Sequence, residues 1–326
     1  MSLKPLYQTE LGKAFHTDSL KLLPTLPDAF VDLVVTSPPY ALHFKKEYGN
    51  ANQGEYVEWF MPFAREIRRV LKPEASFVLN IGGSWTPGAP VRSLYHFRLL
   101  LALCDDLGFH LCQEFFWYNP AKLPSPIEWV NKRKIRVKDA VDTVWWLSKC
   151  DHPKADVRRV LVPYSARMRK LLQDASRFYT PKKRPSGHDI SGRFATANAG
   201  AIPSNLLEIP NTESNSAYLR LCALAEIGAH PARFPQRLPA FFIDFLTEPG
   251  DLVVDIFAGS NTTGAAAEEA ARRWLAFELD QDYLSASLFR FAQDLTDRQA
   301  LDLYGGLRNG TEPAVHISRL QSRLVI

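Results

Sequence analysis

Two stretches of this 326-residue chain carry residue types whose spacing could do chemistry. The first is Thr36-Ser37-Pro38-Pro39-Tyr40. Successive prolines stiffen the turn and remove amide donors, so acceptors dominate: the Ser37 hydroxyl and the loop carbonyls. Such a loop can take hydrogen bonds from an amino group, and the nearby Tyr40 ring can stack on a flat ring. Alone, the same text also describes a rigid turn with a satisfied serine and a packed tyrosine. The second stretch is residues 251–279, which read as strand (DLVVDIF), Gly-containing turn (AGSNTTG), helix and strand, with Glu278 at the tip of the last strand. A turn that lets a ligand approach backbone, followed by a carboxylate that accepts from ribose hydroxyls, implies an adenosine-containing cofactor. Asn261 interrupts a G-x-G-x-x-G dinucleotide turn, and no lysine follows Gly264 as a phosphate-binding P-loop requires. A Gly-containing strand-to-helix turn of any α/β protein stays open on this loop alone.

Elements must hold these two loops. Residues 30–36 (FVDLVVT) form a β-rich apolar run that the prolines end. That places Ser37 at the carboxyl end of a predicted parallel strand, where open α/β sheets bind ligands. Across residues 55–71 the apolar positions Trp59, Phe60, Phe63, Ile67, Val70 and Leu71 follow the period of a helix lying on a core. Residues 76–81 (SFVLNI), 111–118 and 140–148 (AVDTVWWLS) read as further strands, and 94–107 as a second helix. Strands alternating with such helices predict parallel crossovers in a covered sheet. The pattern breaks over residues 151–229. There, basic helical text (157–172) gives way to Thr180-Pro181-Lys182-Lys183-Arg184-Pro185-Ser186-Gly187-His188 and to loops rich in Gly, Asn and Ser. This predicts an inserted module between residues 1–150 and 230–326, which together make one domain.

Composition bounds the rest. A chain 46% hydrophobic and 23% charged is globular rather than disordered or collagen-like. Its longest apolar runs fall short of the ~18 to 20 residues of a membrane span, and residues 1–10 do not read as a secretory signal, so a cytoplasmic protein without a membrane partner is expected. Cys104, Cys112, Cys150 and Cys222 show no C-x-x-C pairing; reduced, mostly buried thiols and no metal are expected. The net charge of +4 conceals a division: residues 121–193 hold 18 Lys and Arg against 7 Asp and Glu, leaving 21 against 28 elsewhere. The middle of the chain is suited to a polyanion.

With both loops in this order, the chain resembles the amino-group DNA methyltransferases of the β arrangement, in which catalytic loop, target-recognition region and cofactor loop follow one another. Within them it is similar to the PvuII-type cytosine-N4 modification enzymes, from about His16 to Phe291. Text such as residues 122–136 (KLPSPIEWVNKRKIR), 184–188 (RPSGH) and 255–264 (DIFAGSNTTG) carries the similarity. The resemblance implies a Rossmann-like α/β methyltransferase sheet, circularly permuted, with S-adenosyl-L-methionine as cofactor. It implies that Asp18, Asp255, Phe257, Gly259, Ser260, Asn261, Thr262 and Glu278 hold that cofactor and that Ser37, Pro38, Pro39 and Tyr40 form the catalytic motif, serine pointing to cytosine. His230-Pro231-Ala232-Arg233-Phe234-Pro235 looks like the family's helix-leading motif beside the cofactor methionine. The partner that the resemblance implies is double-stranded DNA. Because a base inside a duplex cannot meet the cofactor, it must be flipped out. Lys132, Arg133, Lys134, Arg136 and Lys138 are expected along the backbone. Lys182, Lys183, Arg184, His188 and Arg193, in the target-recognition region, are expected at the groove or phosphates, and a CAGCTG-like palindrome is the first sequence to try.

Adenine-N6 transfer, a DNA-binding protein without catalysis, and RNA methylation stay open on the sequence, as do monomer against homodimer and pairing with a restriction endonuclease. An exocyclic amine shares its lone pair with the ring and is a poor nucleophile, so acceptors on its hydrogens are needed. Replacing Ser37→Ala should therefore leave duplex binding in place while methyl transfer drops sharply. Near-normal turnover would remove Ser37 from the catalytic role.

Overall fold

The computed structural model describes residues 4–41, 51–174, 196–212, 216–310 and the backbone of 315–317. Ten strands form one sheet among these residues: β1 (Tyr7–Thr9), β2 (Gly12–His16), β3 (Val31–Thr36), β4 (Leu71–Ile81), β5 (His110–Tyr118), β6 (Val141–Ser148), β7 (Leu206–Glu208), β8 (Leu252–Asp255), β9 (Arg273–Glu278) and β10 (Val315–Ile317). Their order across the sheet is β10-β1-β2-β9-β8-β3-β4-β6-β5-β7. Strands β3 and β8 lie side by side in parallel, Leu33 opposite Val253 and Val34 opposite Val254. From this pair the chain proceeds in opposite directions, β3 to β4 and β8 to β9, so the crevice at their carboxyl ends is a topological switch point. The sheet closes across the permuted order expected from the sequence.

The expectation of parallel crossovers is corrected at β6, which runs antiparallel to both β4 and β5; β1 and β2 also pair antiparallel. A parallel return needs a crossover of a dozen or more residues, usually helical. Between β5 and β6 the chain forms only the single wide turn Glu128–Lys132, so it folds back directly. The basic text of residues 157–172 is likewise not one helix: a turn at Val157–Val160 and a helix at Ala166–Gln173 flank Pro163, which lacks the amide a helix interior requires.

Helix α1 (Ser19–Leu22) and helix α2 (Tyr56–Val70) sit near the two site loops. Alpha-helical spacing puts Tyr56, Phe60, Phe63, Ala64, Ile67 and Val70 on the buried face of α2, against Val34, Phe77, Leu79 and Val254 of the sheet core. Trp59, on the same stripe, is only partly buried, its ring 5.8 Å from that of Phe257.

Two compact units divide the chain, residues 1–154 with 205–326, and residues 155–204. The second is narrower than the 151–229 read from composition, because Leu206–Glu208 pairs with β5 and joins the sheet. Within it, Val162 and Ala201 exchange backbone hydrogen bonds of 2.9 and 2.8 Å. No helix among the described residues is long and apolar enough to cross a membrane. Of the four unpaired cysteines only Cys222 is fully buried; the other three lie partly exposed near the ends of strands or the helix before β5, correcting the expectation of mostly buried thiols.

Strand β2 brings Glu278 of β9 into line through Gly12, whose Cα faces the Trp274 ring: a Cβ built there would lie 2.1 Å from ring atoms. Trp274 is 1% exposed, and its indole donates to Glu268 Oε2 at 2.6 Å, which fixes the ring in place. The variant Gly12→Ala should therefore lower unfolding free energy by about 1–3 kcal/mol through overpacking. Urea denaturation checks this; unchanged stability would contradict it.

Candidate active site

A buried carboxylate ties the two loops together. Asp255, the last residue of β8, is 2% exposed. Its Oδ1 accepts from Thr36 Oγ1 at 2.6 Å and from the Phe257 amide at 3.1 Å, and its Oδ2 accepts from Thr263 Oγ1 at 2.6 Å. Burial pushes its pKa up, and the two hydroxyls and the amide counteract that rise. The end of β3, the end of β8 and the helix at Thr262–Glu269 therefore converge on one side chain.

The Ser37 loop leaves β3 directly after this tie. Asn80 of β4, only 4% exposed, donates from Nδ2 to Ser37 Oγ at 3.4 Å. Its Oδ1 is buried without a hydrogen-bond partner among the described residues, although Asn80 lines the cavity described below. Pro38 is buried, and the Pro39 carbonyl accepts from the Tyr56 hydroxyl at 2.8 Å. The Tyr40 ring lies over Gly82, where a Cβ would come within 2.4 Å of it. The Gly82 carbonyl accepts from the Tyr95 hydroxyl. This glycine thus gives the Tyr40 ring its seat.

On the opposite wall, Glu278 ends β9 with its carboxylate held by backbone donors. Gly259 N donates to Oε2 at 2.7 Å, and Leu279 N and Asp280 N donate to Oε1 at 2.9 Å each. Burial raises its pKa and the three amides counteract that. Two donors fill the lone pairs of Oε1, and one acceptor position of Oε2 stays available. Asp18 caps α1 by accepting from Leu20 N at 2.9 Å, while Ser19 Oγ donates to the Ile256 carbonyl at 2.5 Å and fastens α1 to the loop after β8. Arg290 holds the same loop from behind, donating to the Ser260 carbonyl at 2.7 Å and to Ser260 Oγ at 3.0 Å. His230 packs edge-on against Tyr283 and within 3.1 Å of where a Gly259 Cβ would lie.

Both walls face one cavity of about 1280 Å³, above the roughly 300–1,000 Å³ of ordinary small-molecule sites and large enough for two ligands together. Ser37, Pro38, Pro39, Tyr40, Asp18, Phe257, Gly259, Ser260, Thr262 and Glu278 all line it. Asp255 and Asn261 do not. Asn261 is fully buried in the left-handed conformation (φ 51°); its Oδ1 accepts from Gly264 N at 3.1 Å and its Nδ2 donates to the Tyr7 hydroxyl at 2.9 Å. Both residues shape the loop from behind it. Among the described residues, no group of three or more His, Cys, Asp or Glu could hold a metal ion.

The five cations of residues 132–138 lie outside the cavity lining. Lys132 and Arg133 share Glu128 at 3.3 and 3.0 Å and hold its carboxyl below the usual range, Arg133 contributing most. The Arg136 guanidinium lies 3.6 Å over the Trp85 ring and donates to the Pro90 carbonyl at 2.8 Å. Lys138 donates to the Lys122 carbonyl at 3.0 Å, and Lys134 is exposed at φ 56°. Lys182, Lys183, Arg184, His188 and Arg193 lie outside the described residues. Sequence reading missed Asn80, Trp85, Arg92, Lys122 and Asp142, which line the cavity, with ion pairs at 3.1 Å (Lys122–Asp142) and 3.5 Å (Arg92–Asp139). Asn80 alone carried a signal, a polar residue at the end of an apolar strand.

A sequence model of a DNA methylase family matches residues 31–289. The chain is 56% identical to the type II methyltransferase M.PvuII of Proteus hauseri, across 94% of this chain and 92% of that one. It is 25% identical to the type II methyltransferase M.BglII of Bacillus subtilis, across 84% and 67%. Among solved structures, a PvuII DNA methyltransferase described as cytosine-N4-specific superposes with a TM-score of 0.78 at 48% identity, covering 95% of this chain and 96% of that one. A putative DNA modification methylase of Thermus thermophilus, solved in complex with S-adenosyl-L-methionine, shares the fold at a TM-score of 0.53 and 21% identity, covering 89% and 94%.

Two imidazoles, His96 buried and His230 half-buried in the cavity wall, give the site and its surroundings a pH signature. Burial, aided by Arg233, pushes His230 down to about 4, and burial, aided by Arg92, does the same to His96. Their folded pKa lies below the unfolded value, so they contribute stability that is present above about pH 6.5 and is lost as pH falls toward 4. Asp255 and Glu278, with raised pKa, act in the opposite direction. NMR titration of ring-labelled histidine should place His230 and His96 near 4; midpoints at the ordinary histidine value would contradict the packing described.

Proposed function

The chain belongs to the DNA methylase family whose sequence model spans most of it, and from that premise we propose that it is a site-specific DNA methyltransferase acting on the exocyclic N4 of cytosine. The observation that carries this reading is the meeting of the Ser37 loop and the Glu278 wall in one cavity, across the β3–β8 switch point. The residues present fit S-adenosyl-L-methionine. Glu278 keeps one acceptor position for a ribose hydroxyl, Asp18, Phe257 and Gly259 line the same wall, and Gly259 at positive φ lets the turn pass close beside the His230 ring. When bound, S-adenosyl-L-methionine supplies an electrophilic sulfonium methyl group.

The chain's own residues do the remaining work. Ser37 Oγ and the Pro38 carbonyl accept the two hydrogens of the cytosine amine, drawing its nitrogen toward tetrahedral geometry and freeing the lone pair for attack. Asn80 fixes the Ser37 hydroxyl through its 3.4 Å contact, and Tyr40, seated on Gly82, stacks on the flipped base. Proximity and orientation then provide most of the rate, and the proton leaves after transfer. No covalent intermediate on a cysteine is required by this route.

Residues 151–229, which contain the compact unit 155–204, are the target-recognition region in this reading. The basic sequence of that region at Lys182, Lys183, Arg184, His188 and Arg193 supports a role at groove or phosphates. A CAGCTG-like palindrome remains the first sequence to try, and the type II methyltransferase name of the relative M.PvuII supports pairing with a restriction endonuclease. To test the function, the protein is incubated with S-adenosyl-L-methionine and mixed-sequence duplex DNA, the DNA is digested, and nucleosides are identified by mass spectrometry; methylation-sensitive sequencing then maps the site. N4-methylcytosine is expected. N6-methyladenine would overturn the base assignment, and no methylated nucleoside from a preparation that binds DNA and cofactor would overturn the activity.

A further inference from the structure

The loop between β5 and β6 carries apolar side chains where a soluble protein rarely leaves them. Val137 is 84% exposed and Leu123 is 79% exposed, the two highest values for large apolar residues among the described residues. Isolated exposed leucines need no explanation, but these two are neither isolated nor randomly placed. The segments that bear them are laced together: Lys138 Nζ donates to the Lys122 and Pro120 carbonyls at 3.0 and 3.4 Å, and Asp139 N donates to the Ser125 carbonyl at 3.4 Å. At its base the loop is pinned by Asn119 N to the Ala140 carbonyl at 2.9 Å and by Lys122 to Asp142 at 3.1 Å. Lys122, Ser125 and Asp139 line the cavity, so exposed Leu123 and Val137 lie within two residues of its lining, on a hydrogen-bonded stem.

We infer that Leu123 and Val137 form an apolar wedge that enters the base stack of duplex DNA and occupies the place left by the flipped cytosine. The inference rests on the methyltransferase reading. A base must leave the stack to reach a cavity lined by Ser37, and extrusion costs unstacking and unpairing energy. Proteins that open base steps meet that cost by inserting Leu, Ile, Phe or Met between bases. Charge selects DNA as the occupant. The same loop carries exposed Lys132, Arg133, Lys134 and Lys138 against the two acids Glu128 and Asp139, which favours phosphates over an apolar protein surface. Neither Leu123 nor Val137 contributes to the packed core, so both can be truncated without unfolding the protein.

The test uses the full chain and two duplexes that carry the mapped site, one with the target cytosine paired to guanine and one with it mispaired to adenine. Leu123→Ala, Val137→Ala and the double variant are compared with wild type for kcat/KM of methyl transfer, with thermal melting and cofactor affinity as folding controls. A mispaired base is already partly released, so it needs the wedge less. On the paired duplex kcat/KM of the double variant should fall by about tenfold or more, read as lost transition-state stabilisation, and on the mispaired duplex it should fall by no more than about twofold. Equal losses on both duplexes, as a protein–protein contact would give, or no loss on either, would overturn the wedge while leaving the methyltransferase reading intact. Failure of wild type to methylate either duplex would overturn that reading and the wedge with it.

Discussion

The site depends on one buried carboxylate. An ionisable group 2% exposed would cost several kcal/mol to bury unpaired, and Asp255 offsets that cost with the hydroxyls of Thr36 and Thr263 and the amide of Phe257. The three donors come from three places in the chain, so satisfying Asp255 also fixes the relative positions of the catalytic strand, the cofactor turn and the helix that follows it. Asn261 repeats the device one layer back. Held at positive φ by its own cap to Gly264 N and by the Tyr7 hydroxyl, it lets the turn curl so that Gly259 and Ser260 face the cavity. Preorganisation of this kind leaves little for the bound state to arrange.

How much of this was legible in the sequence follows from which physical signals are local. Strand β3 and the turn after β8 were readable because an apolar run bounded by prolines, or by Gly and Thr, is a local pattern. The direction of β6 was not, since periodicity records which face is buried and carries no sign for strand direction; only the absence of a full crossover helix after Tyr118 hinted at it. Trp59 shares the helical spacing of its core neighbours, yet sits where α2 borders the cavity, a distinction that depends on tertiary placement.

Site residues divide along the same line. That Ser37, Tyr40, Gly259 and Glu278 would line one cavity was readable because their backbone context, at or just after strand ends on the carboxyl edge, is encoded nearby. Asp255 and Asn261 were placed in the correct loop and assigned to the ligand, but their partners Thr36 and Tyr7 lie 219 and 254 residues away in sequence. Counting basic residues over 121–193 measured a real excess without showing that Glu128 and backbone carbonyls hold Lys132, Arg133, Arg136 and Lys138 in place. Those contacts orient the cations, and their charge stays at the surface.

The central claim is that the Glu278 wall holds the cofactor while the Ser37 wall holds the base, two ligands in one cavity with separable determinants. Calorimetric titration of S-adenosyl-L-methionine into wild type and Glu278→Ala, alongside salt-dependent duplex binding by the same two proteins, tests it most directly. The account predicts that the substitution weakens cofactor binding by about tenfold or more, the value of a lost charge-assisted hydrogen bond, and leaves DNA affinity and its salt dependence unchanged. Unaltered cofactor affinity would contradict it.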